Sequence, residues 1–167
     1  MQVFLPYAQD FEKSAHSLDD VRLSKQIVEL CQILTTQYNM RHSQTAVIGY
    51  ANHPIVRQYD TPAGTVFLLD YGFVLCKEFQ FRFGKTHQGQ FTLLGLKMAY
   101  GALEPPESCN SPAVYVKGQR GNGQVITSKN ISALYQKLLS EKWANETPKW
   151  TRREKPVFYK KNTSPNG

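Results

Sequence analysis

Four polar side chains recur at helical spacing. Arg22, Lys25, Glu29 and Gln32 stand at i, i+3, i+7 and i+10 within LDDVRLSKQIVELCQIL, which aligns them along one face of a helix. Two cations, a carboxylate and an amide in one row could recognise a nucleotide, with the cations taking phosphate. Asp19 and Asp20 precede the row, where carboxylates cap free N–H groups and suit the helix dipole. The plainer reading is a solvated face with a Lys25–Glu29 pair worth about 0.3–0.5 kcal/mol. Val21, Ile27, Val28, Cys31 and Leu34 are then expected on the core side.

Other residues could join such a site. Asn52 and His53 precede Pro54, and His87 follows a Gly84 stop signal; each histidine sits at a helix end, where capping is the plain alternative. Glu78 and Arg82 form an i,i+4 pair at the polar end of an apolar helix. Near the C-terminus, Lys149, Arg152, Arg153, Lys155, Lys160 and Lys161 alternate with Trp150, Phe158 and Tyr159. Cations bind phosphates and rings stack on unstacked bases, yet the same rings could pin the C-terminal segment to the core. Lys117, Arg120 and Lys129 surround glycines that would let a backbone approach phosphate, but the GxxxxGK[ST] order of a P-loop is absent and a surface hairpin is the plain reading.

The elements that must position these residues follow in chain order. Gln2 to Tyr7 is a short apolar stretch, extended or strand-like. Asp10 is placed to cap a short helix to Ala15, and the polar stripe occupies the helix from Leu18 to Leu34. The polar run from Gln37 to Tyr50 reads as a loop. Pro54 and Pro62 each suit a first helical turn, opening helices to Tyr59 and to Phe83, the latter ended by Gly84. Phe91 to Ala102 suits a further helix, interrupted by Gly95. Asn122-Gly123 marks a turn between Ala113–Lys117 and Gln124–Thr127, a candidate β-hairpin near 113–127. A last helix runs from Ser128 to about Ala144. The expected fold is mainly α: a compact single-domain helical bundle over 1–161, with a short N-terminal extended segment, the hairpin, and a disordered tail at 162–167.

The 167 residues, 41% of them hydrophobic, suffice for one domain with a real core. No apolar run approaches the ~20 residues of a membrane span, and the N-terminus lacks signal-peptide character. Cys31, Cys76 and Cys109 are odd in number and widely spaced, which favours reduced thiols and a cytoplasmic protein. There is no CxxC or HExxH spacing, so neither a metal nor another cofactor is expected. The net charge of +7 favours an anionic partner, DNA or a nucleotide, and no membrane. A monomer is expected.

The segments MQVFLPY, LDDVRLSKQIVELCQIL, NHP, LCKEFQFRFGKTH, EKW and KPVFY resemble the pyrimidine-dimer DNA glycosylase (phage endonuclease V-like) family. The closer likeness is to bacterial and phage proteins placed in that group by similarity. It spans most of residues 1 to 160, apart from the hairpin. Asp20, Arg22, Lys25, Glu29, Gln32, Asn52, His53, Glu78, Arg82 and His87 match its motif. The resemblance implies a mainly helical DNA glycosylase with β-lyase activity on damaged or modified pyrimidines, in which an N-terminal amine attacks C1′ and forms a Schiff base while a helix glutamate and arginines assist. Two positions depart from the phage enzyme. Gln2 replaces a small residue, so Met1 should be retained, and the candidate nucleophiles are the Met1 amine and Lys25. Leu23 follows Arg22 where the phage enzyme has its glutamate, so Glu29 would have to serve from further along the helix. Arg22 and Arg82 would bind phosphate, and the tail, with Lys149, Trp150, Arg152 and Arg153, would bind DNA. Two other classes fit the same residues: a non-catalytic nucleotide- or nucleic-acid-binding module, and an enzyme acting on a free nucleotide.

Overall fold

The starts of three helices fall where the sequence supplies caps. Asp10 Oδ1 accepts the Lys13 N–H at 2.8 Å and opens α1, Phe11–Ser17. His53 and Thr61 do the same for α3, Pro54–Gln58, and α4, Pro62–Phe83, each with a proline in the first turn. Gly84 ends α4 at φ 66, a left-handed conformation that glycine adopts without strain. The computed structural model describes residues 2–8, 10–42, 50–101, 114–117, 123–126 and 131–159. They also hold α2, Asp20–His42; α5, Gly89–Tyr100; β1, Val114–Lys117; β2, Gly123–Ile126; and α6, Ile131–Trp143. The fold is mainly helical. β1 and β2 pair antiparallel, with Val114 opposite Ile126 and Lys117 opposite Gly123.

α4 packs against α1, α2 and α5. Leu23, Ile27, Leu30, Ile33 and Leu34 of α2 are buried together with Leu68, Tyr71 and Leu75 of α4. α5 approaches α2 very closely at its start. A Cβ on Gly89 would lie 2.5 Å from Ile27 Cγ2, so only glycine fits there. Val3, Phe4 and Leu5 are buried against this core.

The C-terminal part closes over the α1–α2 corner. Trp143 Nε1 donates to Asp19 at 2.9 Å, and Trp150 Nε1 donates to the Ser17 carbonyl at 3.0 Å. Thr151 N–H and Oγ1 donate to Asp20 at 3.0 and 2.7 Å. Gln136 donates to the Pro6 carbonyl at 2.9 Å, and Ser132 Oγ accepts the Ala8 N–H at 3.0 Å. Trp143, Trp150, Phe158 and Tyr159 form one aromatic cluster.

Three expectations are corrected. α2 does not stop at Leu34 but continues to His42, because its polar residues find tertiary partners: Gln37 donates to the Val56 carbonyl at 3.0 Å and Arg41 to Asp60 at 2.6 Å. The rest of that expected loop, 43–49, lies outside the described residues. Val21 and Val28 are 68% and 44% exposed; the buried stripe is rotated away from them, and Gln26 takes an inward position instead. α5 begins at Gly89 and ends at Tyr100 rather than spanning Phe91 to Ala102. Cys31 and Cys76 are buried and unbridged, and burial pushes their thiols up to about 11 and about 12. Cys109, the hairpin turn and the segment expected to be disordered, 162–167, fall outside the described residues. Among those described, no helix is long and apolar enough to cross a membrane.

Candidate active site

α2 holds the N-terminal segment with side chains, where a sheet would use a neighbouring strand. Buried Gln26 accepts the Phe4 N–H at 2.8 Å through Oε1 and donates to the Gln2 carbonyl at 2.9 Å through Nε2. One turn on, Glu29 Oε2 accepts the Gln2 N–H at 3.0 Å. From the other side, the Tyr71 hydroxyl donates to the Phe4 carbonyl at 2.6 Å. Fixed side chains thus answer the backbone groups of Gln2 and Phe4, and the path of residues 2–4 is set. Met1 lies outside the described residues. Three backbone bonds join its amine to the Gln2 nitrogen, a span of roughly 4 Å at most.

Glu29 is sheltered, with a side chain 15% exposed, and Lys25 Nζ lies 3.9 Å from its Oε1 while remaining 68% exposed. His53 caps α3 through Nδ1, which accepts the Ile55 N–H at 3.2 Å. Burial, and then the positive charge of the amino terminus, hold its pKa below the ordinary value. A neutral imidazole is what capping through Nδ1 requires.

The polar stripe of α2 does not serve one pocket. At its start, Arg22 donates to both oxygens of Glu146 at 2.5 and 2.6 Å and to Asp19 at 3.3 Å. At its far end, Gln32 is exposed and borders an open groove of about 700 Å³ between α2 and α5, shared with Asn39, Tyr50, His87 and Phe91. His87 Nδ1 accepts the Gly89 N–H at 3.0 Å, so the ring proton sits on Nε2, 3.1 Å from Ser24 Oγ. Burial lowers the His87 pKa, in keeping with a neutral ring tying α5 to α2.

Glu78 and Arg82 do not face Glu29. The Arg82 side chain is fully buried. It donates to Glu78 at 2.7 Å, to Asp20 at 3.1 Å, and to the carbonyls of Ala15, His16 and Leu18 at 3.2, 3.0 and 2.8 Å. A guanidinium spent in this way is unavailable to phosphate. Arg153 also turns inward, donating to both oxygens of Glu78 at 2.9 and 2.7 Å. Trp150 is 7% exposed, with its ring edge-on to Trp143 and Tyr159, so it is no stacking platform. These are corrections to the DNA-contact reading of Arg82, Arg153 and Trp150, and Asp20 likewise works as the acceptor for Arg82 and Thr151. Lys149 and Arg152 remain exposed, although Arg152 also donates to the Phe81 carbonyl at 2.8 Å. Asn52 is exposed and accepts from Arg57 at 3.2 Å.

Gln26, Tyr71 and Glu146 escaped the sequence reading. Gln26 had a usable signal: it is a polar residue beside Ile27, at i+3 from Leu23 and i−4 from Leu30, and so lies within the apolar stripe. Tyr71 and Glu146 had none, since their partners are distant in sequence.

Fold and site together define a mainly helical protein that anchors its N-terminal segment against a helix carboxylate. Residues 1–89 match the model of the pyrimidine dimer DNA glycosylase family, just over half of the chain, and the chain belongs to that family. The match contains the N-terminal segment, Gln26, Glu29 and all of α4. No curated protein and no solved structure matches the chain. Membership places it among DNA glycosylases, whose substrate is DNA. Among the described residues, no group of three or more His, Cys, Asp or Glu could hold a metal.

Proposed function

We propose that the protein removes a damaged or modified pyrimidine from DNA and cleaves the resulting abasic site through a Schiff base. The observation that carries this reading is the Glu29–Gln2 hydrogen bond, which sets a sheltered carboxylate one residue from the amino terminus. The amine attacks C1′, the base departs with the C1′–N electron pair and takes up a proton, and the ring opens to an iminium. Loss of a C2′ proton then expels the 3′ phosphate, and water releases the sugar from the amine. Glu29 stabilises the positive charge at C1′ and can relay the protons.

Two physical arguments favour the amino terminus over Lys25 as the amine. Amino-terminal amines as a class titrate below lysines, and the Lys25 side chain is 68% exposed, whereas lysine nucleophiles work from desolvated pockets. Borohydride is expected to trap a covalent complex with abasic duplex DNA. Lys25→Ala should still be trapped, whereas selective blocking of the α-amine should abolish trapping; the reverse pattern would move the nucleophile to Lys25. Intact DNA binding without any trapping would favour the binding-module reading, in which Arg22, Lys25, Glu29, Asn52 and His53 recognise a nucleotide without breaking it.

The C-terminal segment contributes only its exposed cations. Replacing Lys149 and Arg152 by glutamine should reduce the slope of log K against log salt by about 1 for each phosphate that the pair neutralises. An unchanged slope would remove both from the DNA surface.

A further inference from the structure

We propose that Arg22, Lys25 and Lys142 form a phosphodiester site which Glu146 occupies in the free protein, so that DNA must displace an internal carboxylate to bind. This rests on the DNA-glycosylase reading and adds to it a site and its built-in competitor. Glu146 lies just after α6, and its side chain is 48% exposed. Exposed glutamates rarely hold one geometry, yet both of its oxygens meet Arg22, at 2.5 and 2.6 Å. That two-pronged contact is the one a phosphate makes with a guanidinium.

Arg22 is aimed, not floppy. Its side chain is 11% exposed and its NH1 also contacts Asp19 at 3.3 Å, while Asp19 is fixed by Trp143 Nε1 at 2.9 Å. Lys25 stands three residues along α2 from Arg22, and Lys142 four residues before Glu146; the hydrogen bond from Arg22, and then the charges of Arg22, Lys142 and Lys25, outweigh burial and hold the Glu146 carboxyl below its ordinary value. With Glu146 seated, Arg22, Lys25 and Lys142 are balanced by Asp19, Glu29 and Glu146; with Glu146 swung out, one positive charge is left uncompensated. An exposed ion pair is easily broken, and a rotation of the Glu146 side chain suffices. Lys25 lies between Arg22 and Glu29 along α2, its ammonium 3.9 Å from the Glu29 carboxylate.

Glu146→Gln removes the competitor and keeps the shape. Binding to a short abasic duplex at low salt should tighten by about 2–5-fold, the weight of one exposed ion pair. The gain should vanish in the Arg22→Gln background, and Lys142→Gln should weaken binding in both. Equal or weaker binding by a folded Glu146→Gln, or a gain that survives Arg22→Gln, overturns the displacement. Glu146→Ala serves as the second variant if the first does not fold, with the same outcomes. If the wild-type protein binds duplex and the variants show no gain, only this inference falls. If neither the wild type nor any variant binds duplex, the DNA reading falls with it.

Discussion

Arg82→Met is expected to lower the unfolding free energy by about 3–5 kcal/mol, the scale of breaking a buried charge cluster by removing one partner. Methionine can fill much of the space but donates nothing. Glu78, with its side chain 3% exposed, would keep Arg153 and lose its buried partner. The carbonyls of Ala15, His16 and Leu18 would lose the donors that fix the α1–α2 corner. Against a typical total of about 5–15 kcal/mol, that is a large share, and urea unfolding should show it as a lower midpoint with an unchanged slope. A loss under about 1 kcal/mol would mean that the junction is dispensable. The same cluster sets a pH dependence. Burial opposes ionisation of Glu78, but the guanidiniums of Arg153 and Arg82 prevail and leave its pKa below the ordinary value of 4.5. Its contribution is therefore complete above the unfolded pKa and is lost as pH falls through the lower folded one. Glu78→Gln should remove that part of the acid limb.

Glu29→Gln is expected to reduce abasic-site cleavage by about 10²-fold or more, the scale of losing one acid–base or electrostatic group. The substitution separates holding from chemistry. A glutamine oxygen can still accept the Gln2 N–H, so folding and DNA affinity should change little. What disappears is the negative charge beside the amino terminus. Single-turnover cleavage with saturating protein measures the step directly. A loss of less than about fivefold, with the fold intact, would take Glu29 out of the reaction.

Local signals in the sequence were readable where they depended on neighbours. Asp10, Thr61, Pro54, Pro62 and Gly84 mark helix ends by chemistry that acts within a few residues, and the ends fell close to where they pointed. The stripe of Arg22, Lys25, Glu29 and Gln32 does share a helix, but its surroundings divide it among three settings, and spacing alone carries no information about what packs opposite. α2 outran its apolar pattern because Gln37 and Arg41 pair with Val56 and Asp60. Arg82 and Glu78 read as an ordinary i,i+4 pair; only the arrival of Arg153 and of the α1 carbonyls makes them a buried junction. Trp150 and its neighbours fitted both a DNA surface and a core anchor, and the hydrogen bond to the Ser17 carbonyl decides for the anchor.

The way the C-terminal part closes over the α1–α2 corner has a consequence for the protein during its synthesis. Ser17, Asp19 and Asp20 emerge early from the ribosome, whereas Trp143, Trp150 and Thr151 that satisfy them emerge more than a hundred residues later. At roughly 5–20 residues per second the wait is on the order of ten seconds. Through that interval Asp19 and Asp20 have no tryptophan or threonine to answer them. Contacts of such long sequence separation also form slowly in the released chain. The nascent protein thus carries its amino terminus and its helix carboxylate well before it owns the frame that makes them rigid.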